Sequence, residues 1–183
     1  MEESKNITGK FLDPDAIISQ LGVEFGSVVA DFGCGPGYFS IPFAKKIGAD
    51  GKLYALDILP QALETVVAKA KSLGFVNIIT TRANLEKEHG SKLEDNSVDW
   101  IVLKDILFQN QKKDIILKEA FRILKVGGKI IVIEWKKDDS PVGPEKEIRI
   151  SQEDLERLFA QQKFVIEKNI EAGDYHYAFV AVK

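Results

Sequence analysis

The segment DFGCGPGYFS, residues 31–40, constrains the fold of this chain more than any other. Gly33, Gly35 and Gly37 alternate along it, directly after the apolar run VVA and directly before an aromatic segment typical of a helix. Glycine permits positive φ and close ligand approach, and the first turn of a helix leaves N–H groups without partners. One glycine usually suffices for a tight turn without a ligand. Three glycines therefore indicate a strand, a ligand-binding loop and a helix in succession.

Short apolar runs alternate with longer periodic segments along the rest of the chain. The pattern predicts strands at 27–33, 52–58, 75–82, 97–105 and 129–137, and helices at 13–23, 38–48, 60–74 and 112–128. Strands that are apolar nearly throughout and alternate with helices are typical of a parallel sheet covered on both faces. A helix opened by Ser151 and two antiparallel strands within 164–183 complete the prediction. The expected fold is an α/β open, doubly wound, mostly parallel seven-stranded sheet.

Composition excludes several classes of protein and partner. The 183 residues suit one domain, and 45% apolar with 29% charged residues is typical of a globular chain. A net charge of -3 predicts no general attraction to nucleic acid or to a membrane. The single cysteine, Cys34, excludes an intrachain disulfide, and the first ten residues do not resemble a signal peptide, so we expect a cytoplasmic protein. No Cys or His cluster has metal-ligand spacing, so no metal is expected.

The glycine spacing and one carboxylate together predict a nucleoside ligand. In a doubly wound sheet, ligands bind beyond the carboxyl ends of the strands, where the glycine loop begins. Asp57 ends the second predicted strand, 20 residues beyond Gly37, where a carboxylate accepts hydrogen bonds from both hydroxyls of a ribose. Dinucleotide-binding dehydrogenases carry G-x-G-x-x-G, and Tyr38 occupies the third glycine position here. A nicotinamide oxidoreductase is therefore disfavoured.

The segment VVADFGCGPGYFS followed by LYALDI resembles the class I, Rossmann-like S-adenosylmethionine-dependent methyltransferases. Within that group the chain is most similar to small-molecule and quinone-biosynthesis enzymes, over about residues 12–183 and including RILKVGGKIIVIEW. The resemblance implies S-adenosyl-L-methionine as cofactor and S-adenosyl-L-homocysteine as product. It also implies the strand order 3-2-1-4-5-7-6 with an antiparallel strand 7. One domain would span 1–183, with 1–26 as a helical extension near the cofactor site.

The same resemblance implies a role for ten residues. Asp31 would organise the glycine loop and help to hold the methionine ammonium, and the carbonyl of Lys104 would contact the same amino group. Asp57 would bind the ribose. Asn84 stands where the family usually has Asp reading the adenine amino group, and an amide oxygen can accept the same hydrogen bond. The remaining implied cofactor residues are Gly33, Cys34, Gly35 and Gly37 on the methionyl and ribose side, and Ile58 and Leu85 on the adenine side.

The acceptor side carries weaker signals. His176 and Tyr175, at the start of the last strand, are the candidate catalytic residues, and the alternative is that they pack a strand terminus. His89 belongs to a polar segment and is expected to be exposed. Cys34 could be a helix-terminal nucleophile, but no histidine lies near it in sequence, which favours a small loop residue. Trp135 and the segment 136–150 are candidates for substrate recognition, for a lid, or for a solvated connection.

The expected partner is a small-molecule methyl acceptor. The segment KDIL follows the fourth predicted strand, where base-modifying methyltransferases of this fold often carry a tetrapeptide like N-P-P-Y. Neither nucleic acid nor a membrane is an expected partner, and the chain is expected to be a monomer or a homodimer. The competing hypothesis is a module that binds S-adenosylmethionine or a nucleoside without turnover. A nucleic-acid or protein methyltransferase is a further alternative.

Overall fold

Seven strands form one sheet in the computed structural model of the protein, which describes residues 9–183. The strands are β1 Val28–Phe32, β2 Lys52–Asp57, β3 Ile78–Arg82, β4 Val98–Lys104, β5 Leu124–Trp135, β6 Val165–Ile170 and β7 His176–Val182. Their order across the sheet is β3-β2-β1-β4-β5-β7-β6. Strands β1 to β5 pair in parallel, whereas β7 runs antiparallel to both β5 and β6. The predicted fold class, strand order and reversed strand are confirmed.

Five α-helices flank the sheet, and α3 and α5 show the terminal signals read from the sequence. They are α1 Pro14–Ser19, α2 Ser40–Ile47, α3 Pro60–Leu73, α4 Lys113–Ile123 and α5 Gln152–Gln161, with a short 3-10 helix at Lys146–Ile148. Helix α3 starts at a proline and ends at Gly74, whose left-handed φ of 75° closes the last turn. The Ser151 hydroxyl accepts the Asp154 N–H at the start of α5, as predicted.

The predicted N-terminal helix is present but shorter than expected. It begins after Asp13, whose carboxylate accepts the N–H groups of Asp15 and Ala16. It ends at Ser19, and Gly22 then adopts a φ of 72°. Helix α1 packs against α2, and residues 1–8 of the predicted extension lie outside the described residues. Within 9–183, every helix falls short of the length and apolar character needed to cross a membrane.

The prediction of a helix over 112–128 is wrong at its C-terminal end. Helix α4 stops at Ile123, and β5 begins at Leu124 rather than at 129. Leu124 pairs with Val98 and Lys129 with Trp100, so the residues between them bulge out of the ladder. Val126 in this bulge is 88% exposed, and Gly127 takes a φ of 76° that a helix does not allow. The double glycine therefore forms a bulge rather than a helix terminus.

Two apolar layers, one on each face of the sheet, hold the strands in place. One layer packs α1 and α2 against the sheet, and the other packs α4 and α5 against the opposite face. Alternate residues of each strand enter opposite layers, as the pleat requires. The central strands β1, β4 and β5 are buried and parallel, so their carboxyl ends lie together along one edge of the sheet. The functional side chains described below lie at that edge.

Candidate functional site

A cavity of about 350 Å³ opens beyond the carboxyl ends of β1, β2 and β4. This volume is in the range of small-ligand sites. Seven of the ten predicted cofactor residues line it, namely Gly33, Gly35, Asp57, Ile58, Asn84, Leu85 and Lys104. The sequence reasoning missed its other lining residues, which are Leu59, Ala83, Glu86, Ile106, Gln109 and Asn110. Folding thus gathers residues from four separate segments around one space.

Backbone hydrogen bonds to β2 hold the shape of the glycine loop between β1 and α2. The N–H groups of Gly33 and Cys34 both donate to the Leu56 carbonyl, at 2.7 and 3.0 Å. Gly33 and Gly35 adopt φ values of 68° and 50°. A Cβ added to Gly33 would overlap the Ile106 side chain, whereas a Cβ on Gly35 would meet no atom within 4 Å. The loop is therefore preorganised, and Gly35 leaves open space that a ligand can fill.

Asp57 has a fixed orientation at the wall of the cavity. Its Oδ2 accepts the Gly35 N–H and its Oδ1 accepts the Leu59 N–H, both at 2.9 Å. A carboxylate oxygen can accept more than one hydrogen bond, so each oxygen of Asp57 can accept a further bond from a ligand. The residue is 9% exposed. Asp57 can thus present two aligned acceptors to a pair of hydroxyls.

The part of the cavity beyond Asp57 is more apolar. Ile58 is 50% exposed and Leu85 is buried, and both line the cavity, to which they contribute apolar surface. Asn84 Oδ1 accepts the Glu86 N–H at 3.0 Å. A carbonyl oxygen has two lone pairs, so Asn84 can accept one further hydrogen bond. Ile58 and Leu85 thus give this part of the cavity apolar surface, and Asn84 gives it a hydrogen-bond acceptor.

Three predicted cofactor residues, in β1 or in the glycine loop, do not line the cavity. Asp31 is buried and accepts the Ser40 hydroxyl at 2.6 Å, and burial raises the pKa of its carboxyl to about 6. Burial and the nearby Asp31 also raise the pKa of the Cys34 thiol, which argues against a reactive cysteine. A Cβ on Gly37 would lie 3.1 Å from Val66 on α3. These residues therefore shape the loop and let α3 approach it.

A buried ion pair anchors the segment that follows Asn84, and the sequence reasoning missed it. Glu119 on α4 accepts the Ser91 N–H at 3.0 Å and pairs with Arg122 at 2.8 Å. Burial raises the pKa of Glu119, but hydrogen bonds from Arg122 and Ser91 outweigh it, so the pKa is lowered overall. The sequence does contain a signal for this buried ion pair, because Glu119 lies between Ile116 and Ile123 on the apolar face of α4.

A second polar group lies at the same edge of the sheet, at the ends of β4 and β7. Asp105 follows β4 with a φ of 55°, which is uncommon for a residue other than glycine. Its carboxylate forms an ion pair with Lys104, and its Oδ1 lies 3.4 Å from His176 Nε2. The His176 ring stacks on Trp135 with the centroids 4.0 Å apart and is 6% exposed. Sequence reasoning selected His176 but missed Asp105.

The other predicted candidates are not brought together with His176. The Tyr175 hydroxyl accepts the Gly9 N–H at 3.1 Å, and its ring packs against Phe11. His89 is exposed, as expected. Tyr175 thus fastens the N-terminal segment to the turn before β7.

Glu134 on β5 is fully buried and holds the turn after β4. Its Oε1 accepts the Leu107 N–H at 2.6 Å. Burial, together with the charge of Asp105, raises its pKa to about 8, although backbone N–H groups of the turn oppose this. Glu134 therefore positions the turn whose Ile106 lines the cavity.

Arg149 organises the segment 136–150 after β5. It is buried, and its guanidinium donates to the backbone carbonyls of Lys136, Asp138, Val142 and Pro144. The same guanidinium lies over the Trp135 ring, 5.7 Å from its centroid. Segment 136–150 is therefore wrapped around one side chain.

Comparison with known proteins gives three concordant results. Residues 24–179 match a family model described as a methyltransferase domain. A ubiquinone/menaquinone biosynthesis C-methyltransferase from Haemophilus ducreyi is 36% identical over 117 residues, which are 63% of this chain and 44% of that protein. The corresponding enzyme of Pasteurella multocida is 32% identical over 117 residues, 63% of this chain and 42% of that protein. The matches thus span less than half the length of these curated relatives.

A solved structure extends the similarity to nearly the whole chain. A SAM-dependent methyltransferase from Aquifex aeolicus is 25% identical to this protein. It superimposes with a TM-score of 0.86, covering 93% of this chain and 89% of that one.

Proposed function

Because the chain belongs to the methyltransferase-domain family, we propose that it transfers a methyl group from S-adenosylmethionine to a small-molecule acceptor. The family match confirms the resemblance read from the sequence. The composition of the cavity is the observation that supports this proposal most strongly. It joins the open side of Gly35, the oriented carboxylate of Asp57 and the apolar surfaces of Ile58 and Leu85 in one space.

The chemistry of the cavity fits this cofactor. S-adenosylmethionine has a polar methionyl end, a ribose with two hydroxyls and a flat adenine, and the cavity offers a counterpart for each. The Lys104 carbonyl and the glycine loop would hold the methionyl end. Asp57 would bind the ribose hydroxyls, and Ile58, Leu85 and Asn84 would hold the adenine. Asp31, Cys34 and Gly37 would maintain the shape of the glycine loop.

The protein contributes to the reaction by positioning the cofactor and the acceptor and by excluding water from them. The cofactor, when bound, supplies a methyl group on a sulfonium, which is electrophilic without further activation. The hydrogen bonds within the glycine loop and at Asp57 fix the cavity before any ligand arrives. A preorganised site turns an encounter of two molecules into an effectively unimolecular step.

A small acceptor is the class that best suits the surroundings of the cavity. The aromatic side chains Tyr38 and Phe11 are exposed near the N-terminal segment, and the Tyr38 hydroxyl donates to the Leu12 carbonyl at 2.6 Å. Lys104 Nζ lies 5.9 Å from the Tyr38 ring centroid, so this aromatic ring lies close to a residue that lines the cavity. The names of the curated relatives refer to C-methylation in quinone biosynthesis, which is also small-molecule chemistry. We propose action within the cytoplasm.

The proposal is tested by incubating the protein with methyl-labelled S-adenosylmethionine and a metabolite extract, followed by mass spectrometry. We expect label in at least one small molecule, and none in nucleic acid or protein added in parallel. Saturable binding of both S-adenosylmethionine and S-adenosylhomocysteine with no labelled product would favour the non-catalytic binding module instead.

A further inference from the structure

Buried polar atoms without a protein partner concentrate at one place in the structure. Among residues 9–183, such side-chain atoms are Asn77 Oδ1, Asp105 Oδ1, Glu134 Oε2 and both ring nitrogens of His176. Three of these five atoms belong to Asp105 and His176, which face each other across the ends of β4 and β7. Buried polar groups are nearly always hydrogen-bonded, so this concentration calls for an explanation.

The Asp105–His176 pair lies beside the cofactor cavity without lining it. Asp105 lies between Lys104 and Ile106, both of which line the cavity. Its Oδ2 faces Lys104, while its Oδ1 faces the buried His176. The left-handed backbone at Asp105 is of a kind that collects at functional sites. Contact with the Trp135 ring, tilted by 39°, restricts the orientation of the His176 ring.

From this arrangement we propose that Asp105 removes a proton from the methyl acceptor and that His176 positions the Asp105 carboxylate. The inference rests on the proposed methyl transfer and adds a substrate class, namely an acceptor with a neutral hydroxyl or an acidic C–H. A thiolate or another ionised acceptor would need no base.

The proton and electron pairs balance in this step. The O–H or C–H bond of the acceptor breaks, and its proton passes to Asp105 Oδ2. The electron pair left on the acceptor forms the bond to the methyl carbon as the carbon–sulfur bond breaks and its electrons remain on sulfur. Lys104, paired with the carboxylate, stabilises negative charge that develops on the acceptor.

His176 acts through Asp105 rather than on the acceptor. Both of its ring nitrogens are shielded from solvent, so an acceptor does not reach them in this conformation. At 3.4 Å the contact between Nε2 and Oδ1 makes no hydrogen bond. Catalytic hydrogen bonds are often long in ligand-free structures and shorten when the substrate binds. His176 is therefore a positioning residue in this proposal.

Charged or titratable groups from three elements face the Asp105 carboxylate. They are Lys104 at the end of β4, His176 on β7 and Glu134 on β5. The proposed step needs a carboxylate at this position, which Asp105→Asn removes.

The test combines label transfer with two measurements that do not depend on turnover. Asp105→Asn suits the left-handed backbone as well as Asp does. We expect it to lower label transfer about 100-fold or more. His176→Phe keeps the stacking on Trp135 and should lower kcat while leaving the KM for S-adenosylmethionine unchanged. The matched controls are Asp114→Asn and His89→Asn, both at exposed positions, which should behave as wild type.

Binding of S-adenosylhomocysteine and NMR of the histidine rings separate the possible outcomes. The protein has two histidines, so His89 serves as an internal reference. We expect Asp105→Asn to shift the His176 ring nitrogens, to leave those of His89 in place and to keep S-adenosylhomocysteine affinity within about threefold. Full label transfer by Asp105→Asn, or an unchanged His176 spectrum, overturns the inference and leaves the proposed function intact. Absence of both S-adenosylhomocysteine binding and label transfer in the wild type overturns the proposed function itself.

Discussion

Asp57 is the residue on which the cofactor proposal depends most directly. Its two oxygens hold the glycine loop and the start of α3, and they retain lone pairs for a ribose. We predict that Asp57→Ala weakens S-adenosylhomocysteine binding by about 1 to 3 kcal/mol, or roughly 5- to 150-fold. Isothermal titration calorimetry measures the change. Asp50→Ala, at an exposed position, is the control and should bind as wild type. Unchanged affinity in Asp57→Ala would refute the ribose role.

The raised pKa of Glu134 predicts how the stability of the protein depends on pH. Its pKa rises from 4.5 to about 8 on folding, so between these values the native state binds more protons than the unfolded state. Stability therefore falls as pH rises through this range. We predict that Glu134→Gln, which mimics the protonated side chain, gains stability relative to wild type from pH 5 to pH 9, by more than about 1 kcal/mol.

Urea denaturation at several pH values measures this difference for Glu134→Gln. Glu64→Gln replaces an exposed glutamate and should show no such trend relative to wild type. A constant stability difference between wild type and Glu134→Gln across the range would show that Glu134 is ionised in the folded protein throughout.

Helix α4 carries both a buried and an exposed ion pair, which allows a matched comparison. Glu119→Gln breaks the buried pair with Arg122 and should cost about 1 to 3 kcal/mol of stability at pH 7. Asp114→Asn breaks the exposed pair with Lys118 and should cost less than about 0.5 kcal/mol. Urea denaturation compares the two variants, and equal costs would contradict the anchoring role of Glu119.

The pH dependence of Glu119→Gln has a definite sign. Because folding lowers the pKa of Glu119 below its ordinary 4.5, the stabilisation is complete above that pH and is lost as pH falls through the folded pKa. The advantage of wild type over Glu119→Gln should therefore shrink in acid.

Segment 136–150 depends on one buried side chain. Arg149→Met removes the donors to four backbone carbonyls, so we predict at least about tenfold faster subtilisin cleavage within 138–146. Mass spectrometry locates the cut. Arg157→Met, which removes an exposed arginine, is the control and should leave the cleavage rate unchanged. Equal cleavage of wild type and Arg149→Met would mean that other contacts hold the segment.

Elements with strong local signals were predictable from the sequence, and those shaped by pairing were not. Gly74 and Ser151 marked helix ends because backbone conformation and capping are local effects. The bulge at 125–128 was missed because it arises from the pairing of β5 with β4, to which Val98 contributes from a distant segment. Local pattern alone could not distinguish a helix terminus from this bulge.

The candidate site, too, has residues that the sequence predicted and residues that it did not, because some of its contacts depend on the fold of the whole molecule. Glycine spacing and the position of Asp57 at the end of β2 predicted one wall of the cavity, because the carboxyl ends of parallel strands lie at the same edge of the sheet. The proximity of Asp105 to His176 follows from the strand order, which brings β7 next to β5 and β5 next to β4. Arg149 gave no signal in the sequence, because its partners are backbone carbonyls.

A thermal-shift titration with S-adenosylhomocysteine and with NAD tests whether this fold binds S-adenosylmethionine and its product. A ligand that binds only the folded state stabilises it by about 2.7 kcal/mol at 100 times its Kd. We predict a saturable rise in Tm with S-adenosylhomocysteine and none with NAD. Stabilisation by NAD with none by S-adenosylhomocysteine would refute the assignment of the cofactor.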